Sequence, residues 1–423
     1  MSSLCLPDYL TPLLMHVELL LANAEQYQLG TAVSVSVSEL NSVEIKIEER
    51  QLSLVFNQTE ADFSGFEIQD QWYAPYPNVR EMQVKVEQDN RMIVCGLPTE
   101  KGCVDIWHHN GEARAVYCHD ARGSEAQRAM LLCALALDYP LEDAVTLARA
   151  HACGYQSTHQ NGHVEVSWPL SRELFPRPLT ANHPEADALG WQSKEQAVEP
   201  FSATDSQKLA LYPVVDTAEW IERLINLGVK TTQLRIKNPQ DPQLETQVQQ
   251  VIKAGNQHKA QVFVNDYWQL AISHKAYGVH LGQEDLETAD LVAIQQAGLR
   301  IGLSTHGYYE ILRAVEFSPS YIALGHIFPT TTKTMPSKPQ GLNRLALYQK
   351  LVGDTFPTVA IGGINLPCAE KVWRTGVSSV AVVRAITEAS DVGAVVNAFN
   401  HLLVRPELTK AINEKVMGGI DAD

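Results

Sequence analysis

No Cys-x-x-Cys pair occurs in this chain, and no apolar run approaches the roughly 20 residues of a membrane span. The seven cysteines are Cys5, Cys95, Cys103, Cys118, Cys133, Cys153 and Cys368, six of them before residue 160. An odd count without regular spacing does not suggest a disulfide framework and reads as buried or free thiols in a reducing compartment. Basic residues are also scarce: 33 Lys and Arg stand against 49 Asp and Glu, a formal net charge of −16. That balance excludes non-specific nucleic-acid binding, which needs a basic surface. It leaves room for anion binding by a few local cations and backbone N–H groups. The first residues show no basic stretch followed by an apolar core and a small-residue cleavage site. The expectation is a cytoplasmic protein with neither a membrane nor a nucleic acid as partner. What is present is a 423-residue chain that is 45% hydrophobic and 19% charged. Such a chain makes two or three globular domains, and each half is long enough to bury its own core.

The stretch from Leu179 to Gln207 has weak apolar periodicity and carries Asn182, His183, Pro184, Pro200 and Ser202. It reads as a connector with a boundary near residue 200. The expected layout is an N-terminal domain over 1–180, a linker over 181–207, a C-terminal domain over 208–405 and a tail over 406–423. Beyond the boundary, short apolar runs alternate with helical-period segments. The runs are 209–216, 231–237, 261–266, 278–282, 300–306, 321–328, 358–364 and 379–386. Several helical segments end in glycine at a C-cap position, at Gly228, Gly298 and Gly376. Eight parallel strands with intervening helices specify a closed (β/α)8 barrel, and near-continuous apolar runs suit strands covered on both faces. A doubly wound open sheet is the structural alternative. The fold class expected is α/β, with this barrel preceded by a separate N-terminal α/β domain.

Polar residues lie at the C-terminal ends of the runs: Arg235 and Lys237, Asn265 and Asp266, His280, Ser304 and His306, Gly362 and Gly363. In a barrel these ends converge on one mouth, where active sites are built. Gln233-Leu234-Arg235-Ile236-Lys237 reads as a strand with an amide and two cations on one face. Burying two unpaired cations costs several kcal/mol, about the penalty for desolvated ions, and a polyanion compensates it. A solvated edge strand is the plain alternative. Asp266 and Asp285 are carboxylates on adjacent loops and suit a hard cation such as Mg2+. Helix capping explains either one equally well. Asn265 is a turn residue or a substrate contact. The loop Thr330-Thr331-Thr332-Lys333 offers hydroxyls, backbone N–H groups and a cation, as phosphate or pyrophosphate requires. The following TMPSKPQG reads as a lid or as a surface loop. Gly362-Gly363 lets backbone approach a ligand closely, and barrel phosphate sites often use the loops after strands seven and eight. His280 reads as a hydrogen-bonded core histidine or as a catalytic base.

The segments QLRIK, VNDYW, GVHLGQEDL, LSTH, ALGHIFPTTTK, AIGGI and VAVVRAI together resemble the thiamine-phosphate synthase family, in family order, from about Leu209 to Arg405. The resemblance implies that hydroxymethylpyrimidine diphosphate loses pyrophosphate and that a thiazole phosphate nitrogen attacks its methylene carbon. It implies a dissociative step through a pyrimidine carbocation, with Mg2+ as cofactor. By motif, Gln233, Arg235, Lys237, Asn265, Ser304 and Lys333 bind the pyrimidine diphosphate, with Ser304 and Lys333 as the catalytic pair. Asp266 and Asp285 hold Mg2+. Thr330, Thr332, Gly363, Val383 and Arg384 hold the thiazole phosphate. The chain departs at Arg384, where relatives commonly carry a small Ser. Backbone binding there makes the change harmless, and a side-chain contact would add a charge to the phosphate. The expected partners are the two small-molecule substrates, with room for a homo-oligomer.

The N-terminal half is less telling. Ala121-Arg122-Gly123-Ser124-Glu125-Ala126, the helical segment after it and SWPLSRELFPR resemble a degenerate hydroxymethylpyrimidine (phosphate) kinase-like domain of ribokinase-like fold. The catalytic continuation of that anion-hole motif is replaced by Glu125 and Ala126, and the N-terminal Gly-rich substrate loop is absent. The expectation is no kinase activity, with an unrelated α/β domain as the alternative. Two readings compete for the barrel. One is a non-catalytic ligand-binding regulator of thiamine metabolism, against which Asp266, Asp285 and Lys333 speak. The other is a relative acting in thiamine degradation or as a tautomerase, with His280 as base.

Overall fold

The computed structural model describes residues 2–57, 63–119, 125–160, 166–331 and 338–404, with backbone alone over 156–160. Contacts divide the chain into two units. Unit 1 is Met1–Glu199 with His306–Ser318 and Lys350–Val352, and unit 2 is Pro200–Thr305, Pro319–Gln349 and the chain from Gly353 onward. Among the described residues, no helix is long and apolar enough to cross a membrane.

Unit 1 is an α/β unit around a nine-stranded mixed sheet. Its strands are β1 (Ser2–Pro7), β2 (Val33–Ser38), β3 (Val43–Ile47), β4 (Arg50–Phe56), β5 (Phe66–Gln69), β6 (Met92–Pro98), β7 (Cys103–His109), β8 (Glu112–Cys118) and β9 (Arg177–Pro178). The order is β2-β1-β3-β4-β5-β6-β7-β8-β9. The β7–β8 hairpin turns on Asn110-Gly111, at φ 49° and 89°. Only a turn with both residues left-handed matches the strand twist, and Asn-Gly is the pair that tolerates it. The helices here are α1 (Leu14–Gln26), α2 (Val79–Gln88), α3 (Glu125–Ala136) and α4 (Leu141–Gln160). A reciprocal capping box starts α2: the Glu81 N–H donates to Asn78 at 2.8 Å and the Asn78 N–H donates to Glu81 at 3.1 Å. Val79, Met82 and Val86 then share one face and pack with Val94, Leu97, Val104 and Ile106 of the sheet. Trp191, from the stretch expected to be a linker, is buried in this same core, beside Ala186 of the short helix Ala186–Leu189. The helix Tyr308–Glu316 groups with unit 1, where Arg177 pairs with Glu316 at 2.7 Å and the Trp107 and Tyr309 rings meet edge-on at 4.9 Å.

Unit 2 is a closed barrel of eight parallel strands, so the open-sheet alternative is excluded. The strands are β10 (Leu211–Val215), β11 (Thr231–Leu234), β12 (Gln261–Asn265), β13 (Gly278–Leu281), β14 (Arg300–Thr305), β15 (Tyr321–Leu324), β16 (Thr358–Ala360) and β17 (Ser379–Val382). β10 pairs with both β11 and β17, which closes the ring. Tyr212, Val214, Phe263, Tyr321, Ala323, Val359 and Ala381 fill the interior. A Cβ at Gly302 would lie 2.0 Å from the Tyr321 ring, so the strand glycine is the space that ring occupies. Gly228, Gly298 and Gly376, at φ 90°, 72° and 94°, end helices as the sequence indicates.

Each strand stops short of the apolar run that announced it. β11 ends at Leu234, so Arg235, Ile236 and Lys237 are not strand residues with a common polar face. The Arg235 N–H still donates to Val215 O at 2.7 Å before the chain leaves the ladder. Gln233, Asn265, His280 and Ser304 lie in the last residues of their strands, whereas Arg235, Lys237, Asp266 and Asp285 follow the strand ends.

Candidate active site at the barrel mouth

Strands β11 to β14 are consecutive neighbours, and their C-terminal ends carry most of the expected site. Gln233 is buried on β11, Arg235 is half-buried just past it, and Lys237 is exposed. No carboxylate among the described residues lies within ion-pair distance of Arg235. A half-buried guanidinium without a carboxylate is a standing attraction for an anion. The Tyr267 hydroxyl donates to Ile236 O at 2.9 Å and pins the loop after β12 to the loop after β11. Burial pushes the Tyr267 hydroxyl up, the Asp266 charge adds to that, and Arg235 opposes it, so both charges act at this corner.

Asn265 is buried and lies opposite His280 in the β12–β13 register. Asp266 follows in the left-handed region at φ 64°, held by its own N–H to His280 O at 3.0 Å. Asp tolerates that conformation, as Gly and Asn do. Asp285 stands after β13 and accepts the Gly282 N–H at 2.7 Å. Asp285 is the first residue of the helix Asp285–Thr288, whose N-cap is Glu284, so its side chain closes a turn back to Gly282 and does not cap the helix.

A hydrogen-bonded chain runs from the mouth into the barrel. Ser304 Oγ is 2.8 Å from His280 Nε2, and His280 Nδ1 is 2.7 Å from the Tyr321 hydroxyl. The Tyr321 hydroxyl is 2.8 Å from that of Tyr212, and the Gln233 amide reaches both. Burial pushes both tyrosine hydroxyls far up, so they remain neutral donors and acceptors. Both ring nitrogens of His280 are thus engaged, and the imidazole stacks on Tyr321 at 5.7 Å. Gln283 adds a bond from its amide to Ser304 O at 2.8 Å. Sequence reasoning missed Tyr212, Tyr321, Gln283 and Tyr267. His306, expected at the mouth with Ser304, instead pairs with Glu310 at 2.8 Å and groups with unit 1.

The other side of the mouth is formed by the loops after β15, β16 and β17. Gly362 and Gly363 are left-handed, at φ 107° and 66°. Phe328 N–H donates to Gly362 O, and Ile327 N–H to Ile361 O, both at 3.0 Å. A Cβ on Gly363 would lie 2.5 Å from Pro329 O. The glycine pair therefore zips two loops together, a structural task independent of any ligand. Thr330 is half-buried in the joined loop. Val383 precedes the single helical turn Arg384–Thr387, and Arg384 is exposed. Thr332 and Lys333 lie outside the described residues.

Among the described residues, no group of three or more His, Cys, Asp or Glu gathers as a metal site. Asp266 and Asp285 nevertheless offer two hard oxygen donors on neighbouring strand ends. That falls short of a closed cage, and it fits Mg2+, which keeps water and substrate oxygens in its shell.

The model of the family described as Thiamine monophosphate synthase matches residues 207–386. A thiamine-phosphate synthase of Pectobacterium atrosepticum is 61% identical over 192 residues, 45% of this chain and 90% of the relative. One from Yersinia pseudotuberculosis is 58% identical over 208 residues, 49% of this chain and 96% of the relative. Among solved structures, a thiamine phosphate pyrophosphorylase from Pyrococcus furiosus is 28% identical, with 47% of this chain and 96% of that one covered at a TM-score of 0.41. With 90% and 96% of the Pectobacterium and Yersinia synthases matched at 61% and 58% identity, the chain belongs to the thiamine-phosphate synthase family.

Proposed function

We propose that this chain is a cytoplasmic enzyme that condenses hydroxymethylpyrimidine diphosphate with thiazole phosphate, giving thiamine phosphate and pyrophosphate. It is a transferase of thiamine biosynthesis. The observation that carries the reading is the convergence of Arg235, Asn265, Asp266, Asp285 and Ser304 on consecutive strand ends, with Arg235 unpaired by any described carboxylate. In this reading Gln233, Arg235, Lys237 and Asn265 bind the diphosphate, and Lys333 joins them. Their cations stabilise the charge that develops on the leaving pyrophosphate as its bond to the pyrimidine methylene breaks. Asp266 and Asp285 hold Mg2+, which when bound neutralises diphosphate charge. Ser304 orients the pyrimidine, and His280, Tyr321 and Tyr212 keep its hydroxyl pointed. Thr330, Thr332, Gly363 and the Val383-Arg384 backbone hold the thiazole phosphate so that its ring nitrogen faces the pyrimidine carbon.

We place this chemistry in a domain over 208–405 followed by a tail over 406–423. The stretch 181–207 joins it to a first domain over 1–180 and packs Ala186 and Trp191 into the core of that domain, so it acts as a docked connector; we read the first domain as kinase-like in origin and without kinase chemistry. The test is product formation by the full-length chain, given both substrates, with Mg2+ and again with a chelator. Thiamine phosphate that appears only with the metal supports the reading. Binding of both substrates without product would make the barrel a ligand-binding module.

A further inference from the structure

Cys118 ends β8 and Cys153 lies on α4, and their sulfurs are 2.9 Å apart. Neither is in a disulfide and both are half-buried, whereas Cys103, directly opposite Cys118 in the β7–β8 register, is fully buried. Neither sulfur is presented by a loop. Cys118 is held by the hairpin ladder, and α4 is locked to the sheet one turn earlier, where Arg149 Nε donates to Asp105 at 2.6 Å. Two sulfurs at hydrogen-bond distance share a proton, so the S–H of one stabilises the thiolate of the other. The bond to Cys118, and then burial, hold the Cys153 proton far above the ordinary thiol range. Arg149 adds positive charge beside the pair.

We propose that Cys118 and Cys153 form a reversible dithiol–disulfide modification site of unit 1, oxidised by low-molecular-weight disulfides. The Cys118 thiolate attacks one sulfur of the oxidant R–S–S–R and expels one RS−. Cys153 then gives up its proton and attacks the Cys118 sulfur of the mixed disulfide, expelling the second RS−. The two protein thiols lose two electrons and two protons in total, and the oxidant becomes two thiols. In a reducing compartment the pair stays a dithiol, and its oxidation marks a change in thiol poise.

The test uses the reduced full-length chain, incubated with oxidised glutathione, quenched with a maleimide, digested and read by mass spectrometry. The expected result is a linked Cys118–Cys153 peptide pair lighter by two hydrogens, loss of both maleimide adducts, and reversal by dithiothreitol. Cys118→Ser and Cys153→Ser each remove the linked pair, and Cys103→Ala leaves it. Retention of both adducts overturns the proposal. So does a stable glutathione adduct on one cysteine, or a Cys103–Cys118 link in place of the expected one. The wild-type digest decides the matter even where a variant fails to fold.

Discussion

In unit 1 the guanidinium of Arg149 is wholly enclosed, and both oxygens of the equally enclosed Asp105 are taken up by it. Gly96 N–H and the Gln127 amide supply further donors to the same carboxylate, at 2.7 and 3.0 Å. Arg128 and Asp70 repeat the arrangement with a second bidentate pair. In the barrel, Arg235 is half-buried and no described carboxylate reaches it, while Asp266 stands exposed on the next strand end. The composition of the two halves does not announce this difference. Unit 1 uses its charges on itself, so each pair is finished when the chain folds. The barrel mouth keeps opposite charges on separate elements, and the Arg235 guanidinium is left without a described carboxylate. A charged residue is therefore a site candidate where its partner is missing, not where its burial is greatest.

The sharpest way to break this comparison is to remove one charge from each unit. Asp266→Asn, which tolerates the same left-handed backbone, is expected to lower kcat/KM by about a thousandfold or more, the scale of losing a charge that acts in the transition state, with the unfolding midpoint nearly unchanged. Steady-state kinetics and denaturant titration of the same sample check both halves of the statement. A near-normal rate would remove Asp266 from the metal site. Arg149→Met is the converse. It leaves Asp105 enclosed and unpaired, which costs about 3–5 kcal/mol of stability, while kcat per folded molecule stays at the wild-type value. Replacing both partners, with Asp105→Leu and Arg149→Met, is expected to recover most of that loss. A double variant no better than the single one would mean that the pair itself, and not the orphaned charge, sets the stability.

A third test uses pH. Burial, then the neighbouring His16 ring 2.9 Å away, pushes His151 down to about 4 from the usual 6.5. The folded state keeps His151 neutral down to about pH 4, whereas the unfolded chain takes the proton near 6.5. The unfolded state binds more protons between these values, so this stability is full above pH 6.5 and is lost on acidification toward 4. Glu142, pushed up to about 8 by burial and by Glu310, works in the opposite sense from its ordinary value of 4.5 up to 8. The difference between wild type and His151→Gln isolates the histidine, and it is expected to change by up to about 3 kcal/mol across the window. A difference that stays flat with pH contradicts the assignment.

How much of this was legible beforehand follows the same division. All eight barrel strands are visible as apolar runs, because strands covered on both faces need continuous apolar sequence. Their ends are not visible, since Arg235 to Lys237 continue the alternating pattern after the ladder has stopped at Val215 O. Asp266 and Ser304 stand out as polar residues that end apolar runs. Tyr212 and Tyr321 do not, because 109 residues separate two hydroxyls that meet only when the barrel closes. In unit 1 the order β2-β1-β3 cannot be read from Val33–Ser38, whose Val-Ser alternation fits many neighbours. The Cys118–Cys153 approach is hidden for the same reason: spacing rules detect cysteines that are close in sequence, and these are 35 apart.

The smallest expected effect tests whether the interior chain belongs to the site or only to the core. Tyr321→Phe removes one hydroxyl and keeps the ring that stacks on His280 and fills the space over Gly302. Losing a neutral hydrogen bond costs about 0.5–1.5 kcal/mol, so a purely structural role predicts slightly lower stability and an unchanged rate. A positioning role predicts more. Without the Tyr321 hydroxyl, His280 loses its 2.7 Å bond at Nδ1, and the ring holds one tautomer toward Ser304 less firmly. The Ser304 hydroxyl then spends time off its bearing. The effect falls on kcat by about threefold to tenfold, with KM for the pyrimidine diphosphate nearly constant, because orientation matters more as the bond breaks than when the substrate docks. Ser304→Ala supplies the control. If the hydroxyl of Tyr321 acts only through Ser304, removing it from the Ser304→Ala background changes nothing further, and an additive loss would cut the link between the two.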